Sequence, residues 1–267
     1  KLPAWIRLAG MSALLAAALL VGGWAQAALA QGKTGSGPGK PTPTPTAPDA
    51  AANPDAVYTA RAVNGLPDER VWTIAFDGEG RPWVGTYSGG LSVYDKDGWR
   101  TYTEEDGLAD NDVHAIYFAF DGPVLIGTAH GLSEYDVYDP VTPWRTVTYA
   151  DGLASSGIED IAIGRGHVWV THLAEGVSRF DGVSWTKFTT ADGLADNWVH
   201  AVTRDAEGRM WFATNGGVSM FDNEVWTTYT AADGLVVDTV FDVAAAPDGH
   251  VWFGTSAGLS EFDGEQW

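Results

Sequence analysis

Cysteine is absent from this 267-residue chain, which excludes disulfides, a lipidated cysteine anchor and any thiolate metal site. Positive charge is scarce as well. From Val57 onward, 33 acidic side chains stand against 11 basic ones, a formal balance of −22. Recognition of a polyanion needs a basic footprint, so the balance argues against nucleic acid as a partner and leaves cations and neutral ligands open. No segment after residue 31 has helical periodicity, which argues against a parallel α/β sheet. Enzyme signatures are missing too: there is no G-x-S-x-G elbow, no H-E-x-x-H and no phosphate loop.

One long apolar run is present, near the start. Lys1 and Arg7 precede an uncharged Leu/Ala run that closes on Ala28-Leu29-Ala30, the layout of a signal peptide with a small-residue cleavage site. Leu8 to Ala30 is also long enough to span a bilayer as an uncleaved anchor. Alanine and glycine dilute the run and favour cleavage, and either reading exports the rest of the chain. Residues 32–56, rich in Gly and Ser and then in Pro and Thr, cannot bury enough surface to offset chain entropy and read as a disordered linker. The division expected is therefore 1–31 signal or anchor, 32–56 linker and 57–267 folded.

Within the folded region a single phrase returns: "WVGTYSGGLSVYD", "LIGTAHGLSEYD", "WVTHLAEGVSRFD", "WFATNGGVSMFD" and "WFGTSAGLSEFD". The Gly-Leu pairs at Gly65, Gly107, Gly152, Gly193 and Gly234 set units 65–106, 107–151, 152–192, 193–233 and 234–267. Periods of 40 to 45 residues built from short strands mark propeller blades. In the first unit the strands read "RVWTIAF", "RPWVGT", "LSVYD" and "WRTYT", rich in β-branched and aromatic residues and separated by Asp-Gly turns. The second unit loses one residue between its second and third strands and gains four between its third and fourth, so all four strands survive. The fold class expected is all-β, a propeller of four-stranded antiparallel blades with five repeats visible. The fifth stops at Trp267 without its last strand; residues 57–63 could supply it, or further blades could follow, and the absence of a stop-like boundary favours the latter.

Nine of the 13 tryptophans occupy two repeat positions: Trp83, Trp169, Trp211 and Trp252 open the second strand, and Trp99, Trp144, Trp185, Trp226 and Trp267 open the fourth. A residue that every unit requires is structural, so these are assigned to packing between blades.

The pattern V-x-x-I…D-x-x-G-x-x-W-x-G-T-x-x-G-L-S-x-Y-D over residues 71–95 resembles the two-component regulator propeller repeat, found in exported sensor regions of bacterial hybrid histidine kinases and in related secreted proteins. The resemblance spans residues 65–267. It implies an extracytoplasmic propeller that senses or scaffolds, often for polysaccharide fragments, and it brings no catalytic residues onto this chain.

Function is then sought where the repeats disagree. The second position of the first strand holds Trp72, His114, Glu159, His200 and Phe241 in turn. His172 replaces a threonine that the other units keep, and His130 and Asn215 lie in the turns between second and third strands. These eight residues are the candidate ligand-binding set, on the loop end of the blades. A metal site from His130, His172 and Glu175 competes with solvated loop histidines, and the solvated reading is preferred. Asp106, Asp110 and Asp112 resemble a calcium loop, but the D-x-D-x-D-G spacing is not met. No cofactor is expected. The turns "DGEGRPW" and "DAEGRMW" resemble the Asp-box of propeller sialidases, but Gly78 and Ala206 stand where that box wants Asp. The expected function is non-catalytic sensing or binding of a glycan, another small extracellular ligand or a protein partner, with membrane anchoring through residues 8–30 as an option. The alternative is a propeller lyase or glycoside hydrolase using His114, His200 or Glu159.

Overall fold

The computed structural model describes residues 65–120 and 122–267; the expected signal or anchor, the linker and residues 57–63 lie outside them. The described residues form nineteen strands in five antiparallel sheets. The first holds β1 (Val71–Phe76), β2 (Pro82–Thr86), β3 (Leu91–Asp95) and β4 (Gly98–Tyr102). The second holds β5 (Val113–Phe118), β6 (Val124–Thr128), β7 (Gly131–Tyr135) and β8 (Trp144–Val147). The third is β9 (Ile161–Gly164), β10 (His167–His172), β11 (Gly176–Phe180) and β12 (Trp185–Phe188). The fourth is β13 (Val199–Arg204), β14 (Met210–Thr214), β15 (Gly217–Asp222) and β16 (Val225–Tyr229). The fifth has three strands, β17 (Val240–Ala245), β18 (Val251–Thr255) and β19 (Gly258–Phe262). Each sheet is a meander in chain order, and the first strands of successive sheets are neighbours, so β1, β5, β9, β13 and β17 run side by side. This is the propeller expected from the repeat.

The core lies between sheets. Trp83, Trp169 and Trp211 are 4%, 2% and 0% exposed, and each packs on rings or aliphatic groups of the following blade, as Trp83 does edge-on to Phe118 at 5.4 Å and Trp211 to Phe253 at 5.8 Å. Burying an aromatic of this size accounts for the insistence on Trp there. At the two ends of the series apolar side chains are uncovered: Ile74 and Phe76 on the first sheet and Trp252 and Leu259 on the fifth are exposed.

The fourth-strand tryptophans do a second job. Between blades the chain makes a 3₁₀ turn closed by a reciprocal cap, as in Thr148, whose hydroxyl and backbone N–H both reach the Asp151 carboxylate. The turn ends on a glycine with positive φ, 112° at Gly193, and a Cβ there would lie 2.9 Å from Cβ of Trp226. The tryptophan packs directly against the bare glycine, and the next residue, such as Leu194, is buried. That explains why Asp-Gly-Leu and the fourth-strand Trp recur together. The loop is pinned again by a serine of the third strand: Ala109, Ala154, Ala195 and Val236 donate their N–H to Ser133, Ser178, Ser219 and Ser260. Pro67 occupies the matching place in the first unit and has no N–H, and Ser92 bonds Thr101 instead.

Candidate functional site

The repeat-breaking residues fall on a backbone irregularity. Pairing of the first strand with the second skips one residue between Val71 and Thr73, Val113 and Ala115, Val199 and Ala201, and Val240 and Asp242. The skipped residues are Trp72, His114, His200 and Phe241. A bulge of this kind re-aims a side chain without disturbing the strand beyond it. Glu159 holds the matching position in the third blade, just ahead of β9, and donates its N–H to the Thr171 carbonyl at 3.0 Å.

The side chains of Trp72, His114 and Glu159 form one network. The Trp72 indole donates to Asp112 Oδ1 at 3.0 Å and meets the His114 ring edge-on at 5.8 Å. His114 Nε2 lies 3.2 Å from the same Asp112 oxygen, and its Nδ1 lies 3.0 Å from the Ile158 carbonyl and 3.5 Å from Glu159 Oε1. Both ring nitrogens therefore face acceptors, which suits an imidazolium donating from each side. Burial alone would lower the His114 pKa, but Glu159 and Asp112 outweigh it and raise the pKa to about 9. Next to this network Tyr87 packs on Trp72 at 6.2 Å, under the Arg70 guanidinium at 4.0 Å.

The other members stand in a second group. His200 Nε2 contacts Asn215 Oδ1 at 2.9 Å and its ring meets Phe241 edge-on at 5.6 Å. His130 is an exposed turn residue whose Nδ1 lies 2.6 Å from Asp110 Oδ2.

His172 does not belong to the surface. It is fully buried at the end of β10, Nδ1 donating to the Gly157 carbonyl at 2.7 Å and Nε2 facing Ser178 Oγ at 2.9 Å. The threonines it replaces turn their hydroxyls onto a third-strand glycine carbonyl, as Thr214 does to Gly217 at 2.8 Å. Burial lowers the His172 pKa to about 4. The expectation of an accessible, solvated His172 is corrected: it sits in the slot that buries Thr86, Thr128 and Thr214 completely, with no opening to solvent. The trio of His130, His172 and Glu175 is not assembled either, since His130 is held by Asp110 and Glu175 by Lys187. Among the described residues no group of three His, Cys, Asp or Glu is placed to hold a metal ion. Asp106, Asp110 and Asp112 are occupied separately, by Thr103, His130 and the Trp72–His114 pair.

Sequence reasoning missed Arg70, Tyr87, Asp112 and Trp198 as members of this surface. Two further columns carry the same signal of disagreement among repeats: the residue before the first strand (Arg70, Asp112, Gly157, Trp198, Thr239) and the residue after the buried threonine or histidine (Tyr87, Ala129, Leu173, Asn215, Ser256). Backbone bonds tie these columns together, as from Tyr87 N–H to Arg70 and from Asn215 N–H to Trp198. Trp72, Tyr87, Trp198 and Phe241 keep 59%, 42%, 46% and 51% of their surface exposed, so the loop end presents aromatic faces among carboxylates. At the opposite end of the inner strands lies an open cleft of about 380 Å³, lined by Tyr117, Ile163, Arg204 and Pro247 among others, remote from this surface.

Comparison with known proteins places the fold. Residues 193–216 match the family described as two component regulator propeller. The extracellular domain of a hybrid two component system from B. thetaiotaomicron is similar in structure, with 24% identity and a TM-score of 0.67 over 74% of this chain and 28% of that one. The extracellular domain of a one component system from the same organism gives 18% and 0.62 over 75% and 29%. Virginiamycin B lyase from Staphylococcus aureus gives 16% and 0.56 over 75% and 71%. The chain thus spans under a third of the length of the two sensor structures. No curated protein matches it by sequence.

Proposed function

We propose that this chain is an exported, non-catalytic recognition propeller whose loop end binds a neutral or cationic glycan, in the manner of an extracytoplasmic sensor. The observation that carries the reading is the coincidence of sequence disagreement with backbone bulges: the positions free to vary are those the backbone turns outward. Exposed indole and phenyl faces provide stacking area for sugar rings, and Asp112, Glu159 and the charged His114 provide acceptors and donors for hydroxyls. The resemblance to extracellular sensor domains supports export and sensing. An acidic surface supports a ligand that is not a polyanion.

A lyase or hydrolase reading has His114 beside Glu159 in its favour, but that histidine is held as a cation between two acceptors and is a poor base at neutral pH. Titration calorimetry against a panel of bacterial-surface and plant oligosaccharides tests the proposal. Binding by the wild type, weakened at least tenfold in Trp72→Ala and Phe241→Ala with no bond cleavage, is the expected outcome. Cleavage of any panel member, or binding indifferent to both substitutions, would overturn it.

A further inference from the structure

At the end of the blades away from the bulges, the turn between first and second strands carries a recurrent device. In the first and fourth blades an aspartate closes the first strand, and its carboxylate collects two donors, a buried indole N–H and an arginine Nε. Asp77 accepts from Trp83 Nε1 at 3.0 Å and Arg81 Nε at 2.7 Å; Asp205 accepts from Trp211 Nε1 at 2.7 Å and Arg209 Nε at 2.5 Å. The second blade has neither partner, with Ala119 and Leu125 in those places. The third blade keeps the tryptophan and loses the acid, because Gly164 stands in the aspartate's position. Trp169 is 2% exposed and its Nε1 has no acceptor. Arg179, its cross-strand partner, sits 5.5 Å from the Trp169 ring, and its Nε also has no acceptor. Other nitrogens of the neighbouring guanidiniums are engaged: Arg179 Nη1 by Glu224 at 2.5 Å, and Arg165 by Asp222 and Asn223, each at 2.6 Å. Trp169, Arg165, Arg179, Met210, Asn223 and Glu224 are among the residues that line a cavity of about 40 Å³, the Glu224 carboxylate being engaged by Arg179 Nη1.

From this arrangement we infer that the third blade binds a monatomic anion, chloride or another halide, in the place where the first and fourth blades carry a carboxylate. Orphaned buried donors cost folding free energy unless an acceptor reaches them. The cavity has room for one ion or water-sized ligand and none for an organic acid. An indole N–H and a guanidinium N–H are donors only, so they call for an acceptor and favour a charged one.

Two measurements on the whole chain test this. Crystals soaked in bromide are expected to show an anomalous peak within hydrogen-bonding distance of Trp169 Nε1 and Arg179 Nε. In solution, at fixed ionic strength, the Trp169 indole N–H resonance is expected to shift saturably as chloride replaces gluconate. A second variant closes the site from within. A Cβ on Gly164 would meet Met210 Sδ, and in the blade that follows Asp77 the repeat position of Met210 holds Val124, so Gly164→Asp combined with Met210→Val supplies the missing carboxylate and is expected to abolish the chloride-dependent shift. Water-like density without anomalous signal, together with an indole resonance indifferent to chloride in the wild type, overturns the inference.

Discussion

Replacing His172 by threonine, the residue of the other four blades, turns its burial into a measurable pH dependence. Nδ1 donates to a carbonyl and Nε2 accepts from Ser178, whose Oγ already accepts the Ala154 N–H. This suits the neutral ring; a second ring proton would turn the Ser178 hydroxyl proton away from Nε2 and place a charge in a fully buried slot. Burial, the largest cause, and nearby Lys187 lower the pKa to about 4; the Gly157 carbonyl, Glu175 and Glu159 oppose it without prevailing. A histidine depressed in the folded state binds fewer protons there than in the unfolded chain, so its contribution is present above the unfolded value of about 6.5 and is lost as pH falls toward 4. Between pH 7.5 and 4.5 the loss works out at about 2.5 kcal/mol. Asp160 titrates in the same window with the opposite sign: burial raises its pKa to about 6 against the N–H groups of Val202 and Ile161, so it adds stability as pH falls. That contribution is common to both proteins and cancels in the difference. Urea unfolding at the two pH values should show the wild type losing about 2.5 kcal/mol more than His172→Thr, although the variant is less stable at pH 7.5 by about 2 kcal/mol for the space and the serine partner it gives up. Equal losses in the two proteins would refute a buried neutral histidine.

Further outcomes follow from the same geometry. His114, raised to about 9, should show imidazole resonances that titrate near pH 9, and stability should decline by about 3 kcal/mol as pH rises from 6.5 through 9, a decline absent in His114→Gln. Asp205→Ala strips the acceptor from Trp211 Nε1 and Arg209 Nε and should cost about 3 kcal/mol in chemical unfolding. Gly193→Ala should destabilise by well over the roughly 1 kcal/mol that positive φ alone costs, because its Cβ meets Trp226 at 2.9 Å; Gly98→Ala, at φ 114° with open space around it, isolates the backbone contribution. Trp211→Ala should cost about 3 to 5 kcal/mol, and Trp252→Ala, on an uncovered face, far less.

Much of this architecture can be read from the residues. Strand limits follow from Asp-Gly turns and β-branched runs, and the first unit's four strands agree with the structure to within a residue at each end. Packing between blades was legible because Trp83, Trp169 and Trp211 repeat while their neighbours drift. The five variable positions that became Trp72, His114, Glu159, His200 and Phe241 were legible for the opposite reason. What stayed hidden depends on register or on space. A bulge is a mismatch between two strands, and neither strand announces it alone. Asp112 looked like one turn acid among several until Trp72 and His114, 40 residues away and two residues on, converged on it. His172 looked like a loop histidine because nothing in its neighbours says that the threonine slot is sealed by Gly157 and Ser178.

The bulges also bear on how such a protein can change its preferences. Each outward-aimed residue belongs to a different sheet, is exempt from the ladder beneath it and touches its counterparts only through side chains. Swapping one leaves the hydrogen-bonded frame intact, so the binding face behaves as a row of interchangeable type set into a fixed press, rewritten one letter at a time without recasting the frame.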